Sequence, residues 1–375
     1  MRKTIKFIKR TFLFIILILL ILFIGTTYIY SKKHNTSFSN TILNLEIIGN
    51  EFLSTSLTPK NTIDISINNI NTESNNNNSI ETSAPITNEN YYYNQLDNYS
   101  KIIYNELEAN IDNLKKQNYT IEFFNKFENL LKEASGEYKL NKAFQSALDA
   151  FFYDHPELFY IDITKLTLNT TCTTIGPIEK YSTKLYPRDN KNYLLDYFNS
   201  ENNVEDSINK VEKVKNNFVR EFKNCDDYTK ILQVHNALAK TLEYDSTLKK
   251  DNIHNIYGAL INKEVVCEGY AKALKYLLNA LDIECILVCG TAKNSSGHTE
   301  SHMWNYVKLN NNWYGVDVTW DDPIIIGGSG KTNNVRQEYF LRGHRTFVRT
   351  HFPSGKLSDT GITFKLPTLS DNNYR

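Results

Sequence analysis

The first strong pattern along the chain is an uncharged apolar run over residues 11–30, preceded by Arg2, Lys3, Lys6, Lys9 and Arg10. About 20 apolar residues span a bilayer core as a helix. The basic cluster outweighs Lys32 and Lys33 beyond the run, and the positive-inside bias then keeps the N-terminus cytoplasmic and exports the rest. A cleaved signal peptide would have a shorter apolar region, roughly 7–15 residues, ahead of an A-x-A-like site. Neither fits, so residues 1–33 read as a basic tip and a retained transmembrane signal-anchor. The expected protein is single-pass in the cell membrane, with its body extracytoplasmic.

Residues 34–90 are dominated by Asn, Ser, Thr and Ile, with Phe38 and Phe52 as the aromatics before the Tyr-rich stretch at Tyr91. Such a segment has little to bury and reads as a flexible spacer. From Tyr91 helical spacing sets in. Ile103, Leu107, Ile111 and Leu114 form one stripe, Phe123, Phe127, Leu130 and Leu131 a second, and Phe144, Leu148, Phe151 and Phe152 a third. His155-Pro156 closes the third, because proline disfavours helical geometry in the residue before it. Residues 91–200 are therefore expected to be a helical subdomain, with a strand-like stretch at 159–171.

Two further helices are marked by Val204, Ile208, Val211, Phe218 and Phe222, and by Tyr228, Ile231, His235, Leu238 and Leu242. His235 lies on the second stripe, where a histidine is more often a satisfied core residue than a catalyst. Tyr270, Leu274, Leu277, Leu278 and Leu281 then predict an amphipathic helix over 268–282. Alternation predicts strands over 284–290, 302–309 and 313–320. Residues 201–375 read as one α+β domain, whose densest part runs in the order helix, strand, strand, strand.

Cys267 stands at the head of that helix, where free backbone N–H groups and the positive dipole end favour an anion. Its own N–H could also face a developing oxyanion. Taken alone, burial of this cysteine as a core residue is the better account, since free Cys is among the most buried residue types. The hairpin downstream shifts the balance. Asn310-Asn311 suits a two-residue turn with positive φ. If Leu309 faces Asn312, then 302 faces 319 and 304 faces 317, and His302 and Asp317 become diagonal neighbours on one face. Their backbones would lie about 7–8 Å apart, a gap that an imidazole and a carboxylate can close. A three-residue turn would place them on opposite faces.

With that pairing, Asp317 fixes the imidazole tautomer and His302 takes the thiol proton of Cys267. Attack on an acyl carbon gives a thioester, released by water in a hydrolase or by an amine in a transferase. Trp304, Trp313 and Trp320 are placed to line a groove near the site, with Tyr257 as a wall or oxyanion neighbour. Packing is the default for such aromatics. His298, four residues before His302, is the substitute base.

Composition narrows the remaining choices. Lys plus Arg and Asp plus Glu both number 42, so no charge excess points to nucleic acid. Five cysteines are too few for a disulfide scaffold and leave at least one thiol free. Cys285 and Cys289 share one face of a strand with side chains about 13 Å apart, beyond disulfide reach, and read as core. Gly327–Thr332 spells GGSGKT but lacks the first glycine of a phosphate loop, and reads as surface loop. Asp321-Asp322 before Pro323 reads as a turn rather than a metal site. No metal and no cofactor are expected.

The stretch from His254 through Pro323, with VVCEGYAKALKYLL, SHMWNYVKL and WYGVDVTWDDP, closely resembles the bacterial transglutaminase-like proteins. HPELFY at 155–160 and LEYD at 242–245 look like companions of the same family. The resemblance implies a papain-like core, with Cys267 as nucleophile, His302 as base and Asp317 as orienting carboxylate. It implies a protein or peptide amide substrate, either cross-linked or cleaved. Cell-wall association is left open, and a non-catalytic module of the same fold that binds cell-surface partners is the alternative.

Overall fold

A computed structural model of the chain describes residues 32, 61–66, 90–175, 177–294, 296–322 and 335–375. The expected anchor at 11–30, most of the expected spacer and the GGSGKT segment lie outside the described residues. Among the described residues no helix is long and apolar enough to cross a membrane. Within the expected spacer, β1 (Asn61–Ser66) is a strand; its sequence alternates β-branched and polar residues, which suits an extended edge.

The expected helical region over 91–200 turns out to be mixed. Helix α1 (Asn98–Ala109) is capped by Asp97, whose carboxylate accepts from Ser100 N at 2.7 Å, and it buries Ile103, Tyr104 and Leu107. It ends before Ile111 and Leu114, which continue the stripe in turns. Phe123 belongs to a strand, β2 (Ile121–Phe124), and only Leu130 and Leu131 of the second stripe are helical, in α2 (Glu128–Leu131). Two nearly adjacent aromatics and a β-branched residue suit a strand as well as a helix stripe, and pairing with another strand decides it. Helix α3 (Gly136–Asp154) stops before His155-Pro156 as expected. Strands β3 (Leu166–Ile175) and β4 (Ile178–Pro187) follow, and β1 to β4 form a four-stranded sheet of order β1-β3-β4-β2.

The chain divides into two compact units, one holding Thr120–Glu137 and Thr167–Tyr186, the other holding Tyr138–Leu166 and Pro187–Arg375. In the second unit, α4 (Glu201–Phe222) and α5 (Asp227–Thr241) are capped by Ser200 and Asp226. Fully buried His235 on α5 bonds Asp321 Oδ2 through Nε2 at 3.1 Å, which makes it the satisfied core histidine expected.

Next, β5 (Glu243–Tyr244) pairs in parallel with β6 (Glu264–Val265). The intervening chain closes with a π-turn at Gly258–Asn262, terminated by Lys263 in the left-handed region at φ 67°. Helix α6 (Cys267–Asn279) starts directly after β6 and buries Tyr270, Leu274, Leu277 and Leu278. Asp282 at φ 62° ends it, and Ile283 N returns to Leu278 O at 3.0 Å.

Strands β7 (Cys285–Lys293), β8 (Thr299–Leu309), β9 (Asn312–Val316) and β10 (His351–Pro353) make an antiparallel sheet of order β10-β7-β8-β9. Helix α6 packs on β7 and β8. Buried Asn305 on β8 ties the two layers, donating to Ala271 O of the helix at 3.0 Å and to Ile286 O of β7 at 3.3 Å. The expected strand over 313–320 is shorter than its alternation suggests. It ends at Val316, and Val318–Asp321 forms a single helical turn, α7, capped by Asp317.

Candidate active site

Leu309 pairs with Asn312 and Asn305 with Val316, the even register expected, and the turn residues Asn310 and Asn311 take φ of 49° and 62°. His302 does not face residue 319, because pairing stops one residue before Asp317. Asp317 leaves the sheet as a helix cap: Oδ1 accepts from Thr319 N at 2.9 Å and Trp320 N at 3.2 Å. Its other oxygen, Oδ2, lies 2.7 Å from His302 Nε2. Capping thus fixes the carboxylate before the imidazole reaches it.

Cys267 is the first residue of α6 and half-buried, and it lines the same cavity as His302, near enough to help raise the pKa of the imidazole. Burial alone would pull its pKa down, but the Asp317 charge, their hydrogen bond and Cys267 outweigh this and raise it to about 10. Burial would likewise raise Asp317, yet the His302 charge and the bonds from His302 and His351 leave it well below the usual carboxylate range.

His351 was not singled out by the sequence. Its Nε2 lies 3.0 Å from the same Asp317 Oδ2, and its ring is fully buried. The register puts His302 opposite Gly290 and His351 opposite Ala292, so both histidines share a sheet face with β7 between them. Gly290 leaves that face open. A Cβ there would stand 2.9 Å from Trp304 Cη2 and 2.1 Å from Phe352 O. Atoms of His302, Asp317 and His351 fall within 4.8 Å of one another, a spacing that a metal could use. The nitrogen–oxygen distances of 2.7 and 3.0 Å are those of N–H···O bonds, so the three side chains satisfy each other directly.

Cys267 and His302 open onto a cavity of about 680 Å³ whose lining includes Asp149, Tyr153, Tyr244, Glu268, Lys272 and Cys289. Tyr244, half-exposed, is pushed up to about 12 by burial and then by the charges of Cys267, Glu300 and Asp317. Burial raises the Asp149 carboxyl to about 6 against hydrogen bonds from Ser358 and Gln145. Glu268 is held down at about 2, because Lys272 and His254 overcome the effect of its burial.

Tyr257, Trp304 and Trp320, expected to contact substrate, are not among the residues lining this cavity. Tyr257 is buried in a cluster with Phe159, Tyr197 and Phe198. Trp304 and Trp320 lie against His302, with ring centroids 6.1 and 5.3 Å away, and so hold the imidazole. His298 is exposed in the loop between β7 and β8 and away from the cavity lining. Cys285 is core, while half-buried Cys289 also reaches the cavity; all five cysteines are free. Asp321 closes the helical turn α7 and Asp322 follows it, and both are buried acceptors, Asp322 taking a hydrogen bond from the Tyr270 hydroxyl at 2.5 Å.

A helix-borne thiol thus stands near an imidazole that a strand-end carboxylate orients, on a helix packed against an antiparallel sheet. Residues 216–318, which include Cys267, His302 and Asp317, match the transglutaminase-like superfamily, and the chain carries a transglutaminase-like domain over that span. It is similar to the kyphoscoliosis peptidase of Mus musculus, 27% identical over 127 residues that cover 31% of this chain and 19% of that protein. The Homo sapiens kyphoscoliosis peptidase matches with the same identity and coverage. The chain thus spans about a fifth of the length of these curated relatives. Among solved structures, a TGase is similar at 13% identity, TM-score 0.27, over 44% of this chain and 46% of that one. A protein provisionally assigned as a cysteine protease from Cytophaga hutchinsonii is similar at 17% identity, TM-score 0.25, over 39% and 54%.

Proposed function

We propose that this protein is a cysteine acyl-transfer enzyme that acts on protein or peptide amide groups through a thioester, with Cys267 as nucleophile, His302 as base and Asp317 as orienting acid. The reading is carried by one observation, the His302 ring bonded to Asp317 Oδ2 and lining, with Cys267, a cavity of about 680 Å³. Its location rests on the apolar run at 11–30, which anchors the body at the outer face of the cell membrane.

In this reaction the proton of the thiol resides on His302, and the thiolate attacks the amide carbon. Charge gathers on the carbonyl oxygen, toward which the Cys267 backbone N–H at the start of α6 contributes a donor. The C–N bond breaks as the imidazolium hands its proton to the departing amine. Water or a primary amine then attacks the thioester, His302 takes its proton, and the thiol returns.

The test offers the full chain a glutamine-containing protein and a labelled primary amine, beside Cys267→Ala. Incorporation, or amide cleavage without incorporation, by the parent alone is expected; the first outcome makes it a transferase and the second a hydrolase. Neither reaction, together with Cys267 alkylation no faster than that of Cys285, would instead favour a binding module.

A further inference from the structure

Among the described residues the Asp317 carboxylate has four hydrogen-bond partners, and they divide evenly. Oδ1 takes the backbone N–H groups of Thr319 and Trp320, and Oδ2 takes His302 Nε2 at 2.7 Å and His351 Nε2 at 3.0 Å. An ionised carboxylate only accepts, so both Nε2 atoms carry protons. For His302 this turns Nδ1 toward Cys267. For His351 it leaves Nδ1 facing the Thr350 hydroxyl, 2.9 Å away, as a second partner.

His351 cannot easily turn away from this arrangement. Its ring stacks on Phe347 with centroids 4.1 Å apart and planes 13° from parallel, meets Trp304 edge-on at 5.0 Å, and touches Trp320 at 4.8 Å and Tyr339 at 5.2 Å. His302 faces the cavity, and His351 does not. One imidazole is placed to exchange protons with the reacting groups, while the other is locked behind the carboxylate. Burial lowers the pKa of His351, with the His302 charge acting the same way and Asp317 opposing them.

We propose that His351 is a positioning residue: by donating Nε2–H to Asp317 Oδ2 it occupies one lone-pair direction of that oxygen and confines His302 to the other. The inference rests on the catalytic reading given above. Without this donor the carboxylate keeps its helix cap, but Oδ2 is free to swing relative to His302, and the imidazole loses its fixed approach to the thiol. Outer partners that orient a primary group typically contribute about tenfold or more to function.

The experiment compares the parent with His351→Phe, which keeps an aromatic ring without a donor, and His351→Gln, whose amide nitrogen can restore one. Alkylation of Cys267 by iodoacetamide near neutral pH is read alongside thermal stability. The Phe variant is expected to react about tenfold more slowly and the Gln variant to recover most of the parent rate. A Phe variant that reacts like the parent overturns the proposal, as do folded Phe and Gln variants that are equally slow. If the Phe variant fails to fold, two-bond ¹⁵N–¹H correlation on the parent still decides, since a ring found as the Nδ1–H tautomer overturns it. That measurement is independent of catalysis. A parent whose Cys267 is no more reactive than Cys285 would defeat the catalytic reading while leaving the tautomer result in force.

Discussion

His302 Nε2 and Asp317 Oδ2 lie 2.7 Å apart, although the two residues are not paired across the sheet. β9 ends at Val316, and Asp317 reaches the imidazole from the first cap of a helical turn. One carboxylate thus serves two ends: Oδ1 satisfies backbone N–H groups that the turn would otherwise leave open, and Oδ2 orients a histidine. The two functions can be separated by substitution.

Asp317→Asn keeps a capping oxygen for Thr319 N and Trp320 N, so the helical turn should survive. The amide nitrogen then faces His302 Nε2, which must become an acceptor, and the proton moves to Nδ1, facing Cys267. The imidazole is then in the wrong tautomer for the base role proposed for it. Activity is expected to fall on the order of 10³–10⁴-fold while thermal stability changes little. A variant that retains activity within a few-fold would refute the role given to Asp317.

The raised pKa of His302 makes a second prediction. The folded protein holds the His302 proton until the pH reaches about 10, so the contribution of this group to stability is present below 6.5 and is lost as pH rises through about 10. Over the same window the imidazolium should attract an anionic reagent to Cys267. The ratio of alkylation rates for iodoacetate over iodoacetamide is expected to be high at neutral pH and to drop near pH 10. Lys272 and Lys356 also line the cavity, so His302→Asn is the control. If it shows the same drop as the parent, the lysines are responsible and His302 is not.

Much of this site was legible because local rules and tertiary structure agreed. Asn310-Asn311 accepts positive φ at low cost, which fixed the turn length and with it the register that brings His302 toward Asp317. The end of β9 was not legible. Val316-Asp317-Val318-Thr319 alternates like a strand, but the same Asp is a strong cap, and capping prevailed. Phe123 was misread because spacing alone cannot separate a short strand from a helix stripe. His351 gave no usable signal: it lies 34 residues after Asp317, on a strand of three residues that ends at a proline. Trp304 and Trp320 were expected to line a groove, but their rings pack against His302 and are absent from the cavity lining.

A last prediction concerns what holds Cys267 in place. Val266, the cap residue of α6, offers no side-chain hydrogen bond, so the position of the first turn depends on packing. Gly269 is where that turn meets β6: a Cβ there would stand 2.5 Å from Val265 Cβ, 2.6 Å from Val265 Cγ1 and 2.8 Å from Ile253 O. In an open helix, Gly→Ala would stabilise by about 0.8–1 kcal/mol. Here the clash is with a β-branched side chain and a carbonyl already engaged by Val266 N at 3.0 Å, and neither can retreat easily. Overpacking of this kind costs about 1–3 kcal/mol and should outweigh the propensity gain. Gly269→Ala is therefore expected to lower stability in denaturant titration and to slow Cys267 alkylation, because the helix start moves away from β6 and carries the thiol out of line with His302. A variant as stable and as reactive as the parent would mean that the close fit at Gly269 does not set the position of the Cys267 thiol.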